Sequence, residues 1–214
     1  MSNIKLVHSG GNSVSLTTPT SNPASNITFK LPQSDGSAGQ VLMTDGNGNL
    51  SWVTLPSSGL TVAQQFRTTA TTATNNSTVV FDSNWEKVDD NAAGSLGSFV
   101  LPTSGIFTFP TTGIYYVTFT SYFEDSGYNA SAQIQIQATI NNSDYDTFSA
   151  TSFGTNYDQS GYNYQSGHVS AMIDVTDVTQ VKVRFRAYSN STVSWDGSST
   201  QSRTAATFIR LGDT

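Results

Sequence analysis

The sequence predicts an all-β protein: a jelly-roll β-sandwich preceded by an extended arm and a β-hairpin. Three observations carry that expectation. Ser, Thr, Asn and Gly fill roughly two-fifths of the 214 residues. Val, Ile, Thr, Tyr and Phe, which suit pleated surfaces, recur in short runs, while residues that build helices are sparse. Those runs alternate in polarity and are separated by Gly, Asn and Pro turns.

Taken in order, residues 1 to 24 read as a polar arm with two prolines and one alternating piece, Ile4-Lys5-Leu6-Val7, whose order depends on a partner. Asn26 to Pro32 reads as a strand stopped by proline. Gln40–Thr44 and Leu50–Val53 flank Asp45-Gly46-Asn47-Gly48-Asn49, a β-hairpin signal. The same five residues resemble the start of a calcium loop. Leu50 stands where its turn glycine belongs and Pro56 where its bidentate Glu belongs, which favours the hairpin.

Leu55 to Gly59 reads as a linker, dividing an N-terminal segment, 1–59, from a C-terminal domain, 60–214. In the latter the clearest strands are Val79–Phe81, Phe99–Leu101, Ile106–Phe109, Tyr115–Phe123, Gln133–Ile140, His168–Val175, Val181–Tyr188 and Ala205–Leu211. That many short strands, with no fixed-period repeat, favour a sandwich or jelly roll.

The Tyr115–Phe123 strand is the most informative. Tyr115, Val117, Phe119 and Phe123 point one way, Tyr116, Thr118, Thr120 and Tyr122 the other. Large side chains on both faces need cover on both, by a second sheet and, most economically, by another copy of the chain. Tyr116, Thr118 and Tyr122 are the candidate contacts between copies.

Two further surfaces stand out. Alternation in Val181–Tyr188 puts Lys182, Arg184 and Arg186 on one face, either as an anion or acidic-glycan patch, as salt bridges across a subunit interface, or as a solvated face paired with acids on a neighbouring strand. The stretch from Tyr157 to Tyr164 reads as a loop dense in aromatics and amides, with Tyr157, Tyr162 and Tyr164 as candidate glycan or receptor contacts.

Composition narrows the function. A net charge of −6 and a pI near 4.6 argue against a nucleic-acid partner. No apolar run approaches membrane-spanning length, and the first residues lack the apolar region of a secretory signal. Without cysteine there is no disulfide, thiol nucleophile or thiolate metal site. His8 and His168 lie far apart and no nucleophile elbow, phosphate loop or zinc motif occurs, so no catalytic residue, metal or cofactor is expected.

Residues 76 to 211 resemble the globular heads of complement-recognition proteins and of the tumour necrosis factor superfamily. The matching pieces, in family order, are Val79-Val80-Phe81-Asp82, Gly105 to Pro110 with Gly113 to Phe119, Ala138 to Asn142, Ser166 to Val169 and Thr207 to Leu211. One departure is Val175-Thr176-Asp177-Val178, where the family has a Gly-Asp turn. The resemblance implies a ten-stranded jelly roll that assembles as a homotrimer. Ile27 to Leu42 with Gly48 to Trp52 is similar to a segment recurring in structural and fibre proteins of marine tailed phages, where it precedes varied C-terminal knobs.

These readings imply a non-enzymatic phage virion protein assembled in the host cytoplasm: a trimeric knob anchored to other virion proteins, as a capsid decoration, head fibre or tail fibre, with a host-surface glycan as a further partner. Phe29, Leu31 and Trp52 are the candidate attachment residues. The alternatives are a bacterial carbohydrate-binding or adhesion module, which the missing signal disfavours, and a glycan-degrading tail enzyme, which the missing site disfavours.

Overall fold

The computed structural model describes residues 4–17, 19–55, 59–90, 92–125, 131–154 and 163–214. Contacts divide the chain into two units, Met1–Ser58 and Gly59–Thr214. All strand elements are β, and no helix occurs among the described residues.

The first unit holds two hairpins. β1 (Ile4–Val7) pairs antiparallel with β2 (Ser13–Leu16) around a turn in which His8 Nδ1 accepts the Gly10 N–H at 3.0 Å. The arm read as a lone extended piece is therefore half of a hairpin. β3 (Gln40–Thr44) pairs with β4 (Leu50–Thr54) as the sequence predicts. The predicted strand around Ile27–Leu31 reduces to one parallel bridge, Lys30 to Asn49, because Pro32 ends the pairing.

The second unit is a sandwich. Its strands are β5 (Ala63–Thr68), β6 (Thr72–Val80), β7 (Trp85–Lys87), β8 (Phe107–Thr108), β9 (Gly113–Asp125), β10 (Ser131–Thr139), β11 (Asp146–Gly154), β12 (Asn163–Val175), β13 (Lys182–Trp195) and β14 (Ala205–Gly212). One layer runs β7-β5-β14-β9-β12, the other β11-β10-β13 with β8 and β6 along the far edge of β13, and these strands all pair antiparallel. The layers join at a corner, where Val193–Trp195 at the end of β13 leave β10 and pair with Phe123–Asp125 of β9. This is the jelly roll the sequence predicts.

The core is aromatic. Phe119 stacks on Phe185 across the layers at 4.6 Å, and Phe66, Phe107 and Phe208 meet edge-on or tilted within 6 Å of each other. Alternation decides membership: every odd residue of β9 from Gly113 to Asp125 is buried, and every even one is half-buried. Gly167 on β12 lies where a Cβ would fall inside the Phe153 ring of β11, so glycine there lets the two edge strands close over Phe123.

Two predicted strands are corrected. Phe99–Leu101 is not a strand; Phe99 is fully buried while Val100 and Leu101 are half or more exposed, so a loop delivers one ring to the core. Ile106–Phe109 shrinks to Phe107–Thr108, because Pro110 has no N–H to extend the ladder with β13. Where the family resemblance expects Gly-Asp, the β12–β13 turn is held by Asp177, whose Oδ1 accepts the Thr179 N–H and hydroxyl, both at 2.7 Å.

Candidate functional site

Three surfaces carry the residues singled out above. The first is the outward face of β12, β9 and β14. Register places Tyr116 between Met172 and Ile209, Thr118 between Ser170 and Thr207, and Thr120 between His168 and Ala205. These three rows contain no carboxylate and no lysine, although Glu124 and Asp174 stand at the two ends of the same face, and Thr120 Oγ1 lies 3.1 Å from His168 Nδ1. Met172 is 50% exposed, and Ile209 and Tyr116 are half-buried. Higher up, Tyr122 stacks parallel on Tyr164 at 5.9 Å, and the Arg203 guanidinium, paired with Asp196 at 2.8 Å, lies 5.6 Å from the Tyr122 ring. The three predicted contacts Tyr116, Thr118 and Tyr122 thus share one face, and Met172, Ile209 and Tyr164 join them from strands whose pairing no sequence pattern announces.

Tyr164 belongs to strand β12, not to a loop, because it pairs with Glu124 in register. Tyr157 and Tyr162 lie outside the described residues.

The second surface is the outward face of β13 and β10, in the other layer. Lys182, Arg184 and Arg186 project from β13 opposite Thr139, Gln137 and Gln135. Arg184 Nε–H donates to Gln137 Oε1 at 2.9 Å, and its guanidinium sits 4.1 Å over the Tyr145 ring. Burial pushes the Tyr145 phenol above its usual pKa. Arg186 donates to Thr78 Oγ1 at 2.9 Å. None of the three cations has a carboxylate within ion-pair distance among the described residues, so their neighbours are amides and hydroxyls and not the acids of a solvated, paired face. The layer separates them from Tyr116 and Tyr122, so the basic row and the aromatic face are different surfaces.

The third lies in the first unit. Trp52 donates its indole N–H to the Ser34 carbonyl at 3.0 Å and lies flat on Gly36, where a Cβ would meet the indole at 2.5 Å. Trp52 remains 38% exposed, Phe29 63% and Leu31 74%, all within this unit's own surface. The Asp45 carboxylate is turned into the loop: it accepts the Asn47 N–H at 2.8 Å, the Asn49 N–H at 3.1 Å and the Asn49 side-chain N–H at 2.6 Å. Those bonds, the Asn49 side chain foremost, hold its pKa below the ordinary carboxylate value. Among the described residues no group of three or more His, Asp or Glu converges as a metal site would.

An ion cluster around one buried arginine carries no sequence signal. The Arg67 side chain, fully buried on β5, bonds Glu86 at 2.6 Å, Asp90 at 2.5 Å, Asp89 at 3.2 Å and the Ser199 carbonyl. Asp90, then Glu86, raise its pKa further, against the opposing effect of burial. The cluster ties β5 to the loops after β7 and β13. It is a clamp, and nothing about three acids within five residues announces which arginine they meet.

No family model matches the chain, and no curated protein matches it. Among solved structures it is similar to an Eiger tumour necrosis factor from S. frugiperda, at 15% identity and a TM-score of 0.56, over 72% of this chain and 94% of that one. A murine APRIL structure at pH 5.0 is 14% identical over 70% of this chain and 98% of that one, with a TM-score of 0.49. The likeness to Eiger, with the strand order described above, establishes the fold as a jelly roll of the tumour necrosis factor type.

Proposed function

We propose that the chain is a non-enzymatic structural protein of a tailed-phage virion, a homotrimeric jelly-roll knob anchored to the capsid or tail by residues 1–59 and aiding adsorption to the host surface. The observation that carries the trimer is the middle of the outward face of β12, β9 and β14, the rows through Tyr116, Thr118 and Thr120: apolar and neutral polar side chains without carboxylate or lysine, with Glu124 and Asp174 at the two ends of the face. Water gains from covering such a face, and each large ring buried there removes on the order of 150–250 Å². A closed ring of identical chains covers it on every copy at once. The anchoring role is supported by the exposed Phe29, Leu31 and Trp52 in a unit whose four short strands hold too little core to be stable unaided. The virion setting, with assembly in the host cytoplasm, is supported by the similarity of residues 27–52 to segments of phage fibre proteins.

Two measurements test the reading. Light scattering on the purified chain should give three times 22.8 kDa, and mass spectrometry with a density map of purified particles should find the chain as a threefold knob. A stable monomer at micromolar concentration overturns the trimer. Absence from particles made by a host expressing the chain overturns the virion role.

A further inference from the structure

Acids outnumber bases 15 to 9 in this chain. Surplus carboxylate should leave no arginine unpaired, and Arg67, Arg203 and Arg210 each have an acidic partner. Arg184 and Arg186 do not, among the described residues, and Lys182 continues their row on the same strand face. Three like charges about 7 Å apart repel one another, since residues i and i+2 of a strand share a face at that spacing. No carboxylate of the described residues offsets that repulsion within the row.

The row is also prepared. Gln137 holds the Arg184 Nε–H and Tyr145 holds the plane of the guanidinium, while its terminal N–H groups bond to none of the described residues. Beside the cations runs a second row, in which Gln135 donates to Gln133, Gln133 donates to Ser152 Oγ at 2.9 Å, and Thr147 donates to Gln135 at 3.2 Å. Tyr188, a residue 36% exposed, stands opposite Gln133 and ends the cationic row. Sparse positive charge beside fixed amides and a ring matches a ligand of sparse negative charge and many hydroxyls. A nucleic acid carries too dense a charge for three cations on a protein of pI near 4.6.

We propose that the outward face of β13 and β10 binds a linear anionic polysaccharide, with Lys182, Arg184 and Arg186 gripping its carboxylates or sulfates and Gln133, Gln135 and Tyr188 taking its hydroxyls and sugar faces. This deepens the adsorption part of the reading above and rests on it for its setting. The layer opposite the aromatic face carries the site, so it stays open when that face is covered.

The full-length chain is tested by biolayer interferometry against immobilised polygalacturonate, dextran sulfate, neutral dextran, poly-glutamate and duplex DNA. Expected is binding to the first two, the carboxylate and sulfate arms separating the two anion chemistries, with none to dextran and a loss between about 30 and 300 mM salt. K182Q/R186Q should weaken binding at least tenfold, roughly 1.4 kcal/mol, at an unchanged melting temperature. Should that double variant unfold, K182Q alone, whose side chain bonds nothing described, must still weaken binding several-fold. R184K, which keeps the charge and loses the fork, should also weaken it. No binding to either polysaccharide, wild-type binding by K182Q, or equal binding to poly-glutamate or DNA overturns the glycan face. Each of those leaves the trimer mass and the presence on particles untouched, so the two readings fail separately.

Discussion

At the scale of single residues, the most consequential side chain is one that no motif marks. Arg67 is fully buried and pairs with Glu86, Asp89 and Asp90 while holding the Ser199 carbonyl. Removing one partner of a buried cluster strands the others, although Asp89 and Asp90, half or more exposed, regain water. Arg67→Ala should therefore cost about 2–3 kcal/mol, below the usual range for a wholly buried pair, read as a lower urea midpoint with an unchanged slope. Arg67→Lys should recover little, because an ammonium cannot reach three acids and a carbonyl as a fork does. Asp177 offers a pH test. Its bonds to Thr179 lower its pKa in the folded chain, so its contribution is complete above the unfolded value of about 3.9 and is lost as pH falls through the lower folded value. In an NMR titration the Thr179 amide should shift in that acid window, and Asp177→Asn should abolish the shift while keeping the turn. A Thr179 amide that titrates at or above the ordinary value would contradict the assignment.

At the scale of elements, alternation made β9 legible from Tyr115 to Phe123, and β10, β12 and β13 in part. Each places apolar residues at alternate, core-facing positions: Tyr115 to Phe123 on β9, Ile134 and Ile136 on β10, Val169 to Val175 on β12 and Val183 to Ala187 on β13. β5, β7 and β11 carried no such signal. Their polar or small residues, Gln64 and Gln65 or Ser149 to Ser152, sit at or next to layer edges, where the partner strand supplies the hydrogen bonds and few rings are needed. Phe99 misled in the opposite sense: a buried ring flanked by two apolar residues reads as a strand even when a loop delivers it. The face shared by β12, β9 and β14 yields a discriminating variant. Met172 is half exposed and holds no core contact, so Met172→Lys should leave the chain folded with unchanged circular dichroism while converting trimers to monomers by light scattering. Tyr116→Lys, at the centre of the same row, should do the same or prevent folding. A trimer that survives Met172→Lys would place the contact between copies elsewhere.

At the scale of the whole molecule, two units of unequal means share one chain. The aromatic core of residues 59–214 should suffice for independent folding, whereas two hairpins whose apolar side chains are mostly exposed should not. A chain beginning at Gly59 should be soluble, trimeric and heat-stable, and should no longer join particles; recovery of that knob on virions lacking the full-length chain would move the attachment role to the jelly roll. The all-β class, the core face of β9, the β3–β4 hairpin and the outward row Lys182, Arg184 and Arg186 are legible from the residues alone, because each depends on the two-residue period of a strand or on the chemistry of one turn. That Met172 and Ile209 flank Tyr116, that the cations stand beside glutamines and not acids, and that Arg67 meets acids nineteen to twenty-three residues away follow from the folded arrangement of the strands. Those are matters of register between strands distant in the chain. A one-residue slip would send every side chain to the opposite face, and only the packing of both layers around one core selects among the slips.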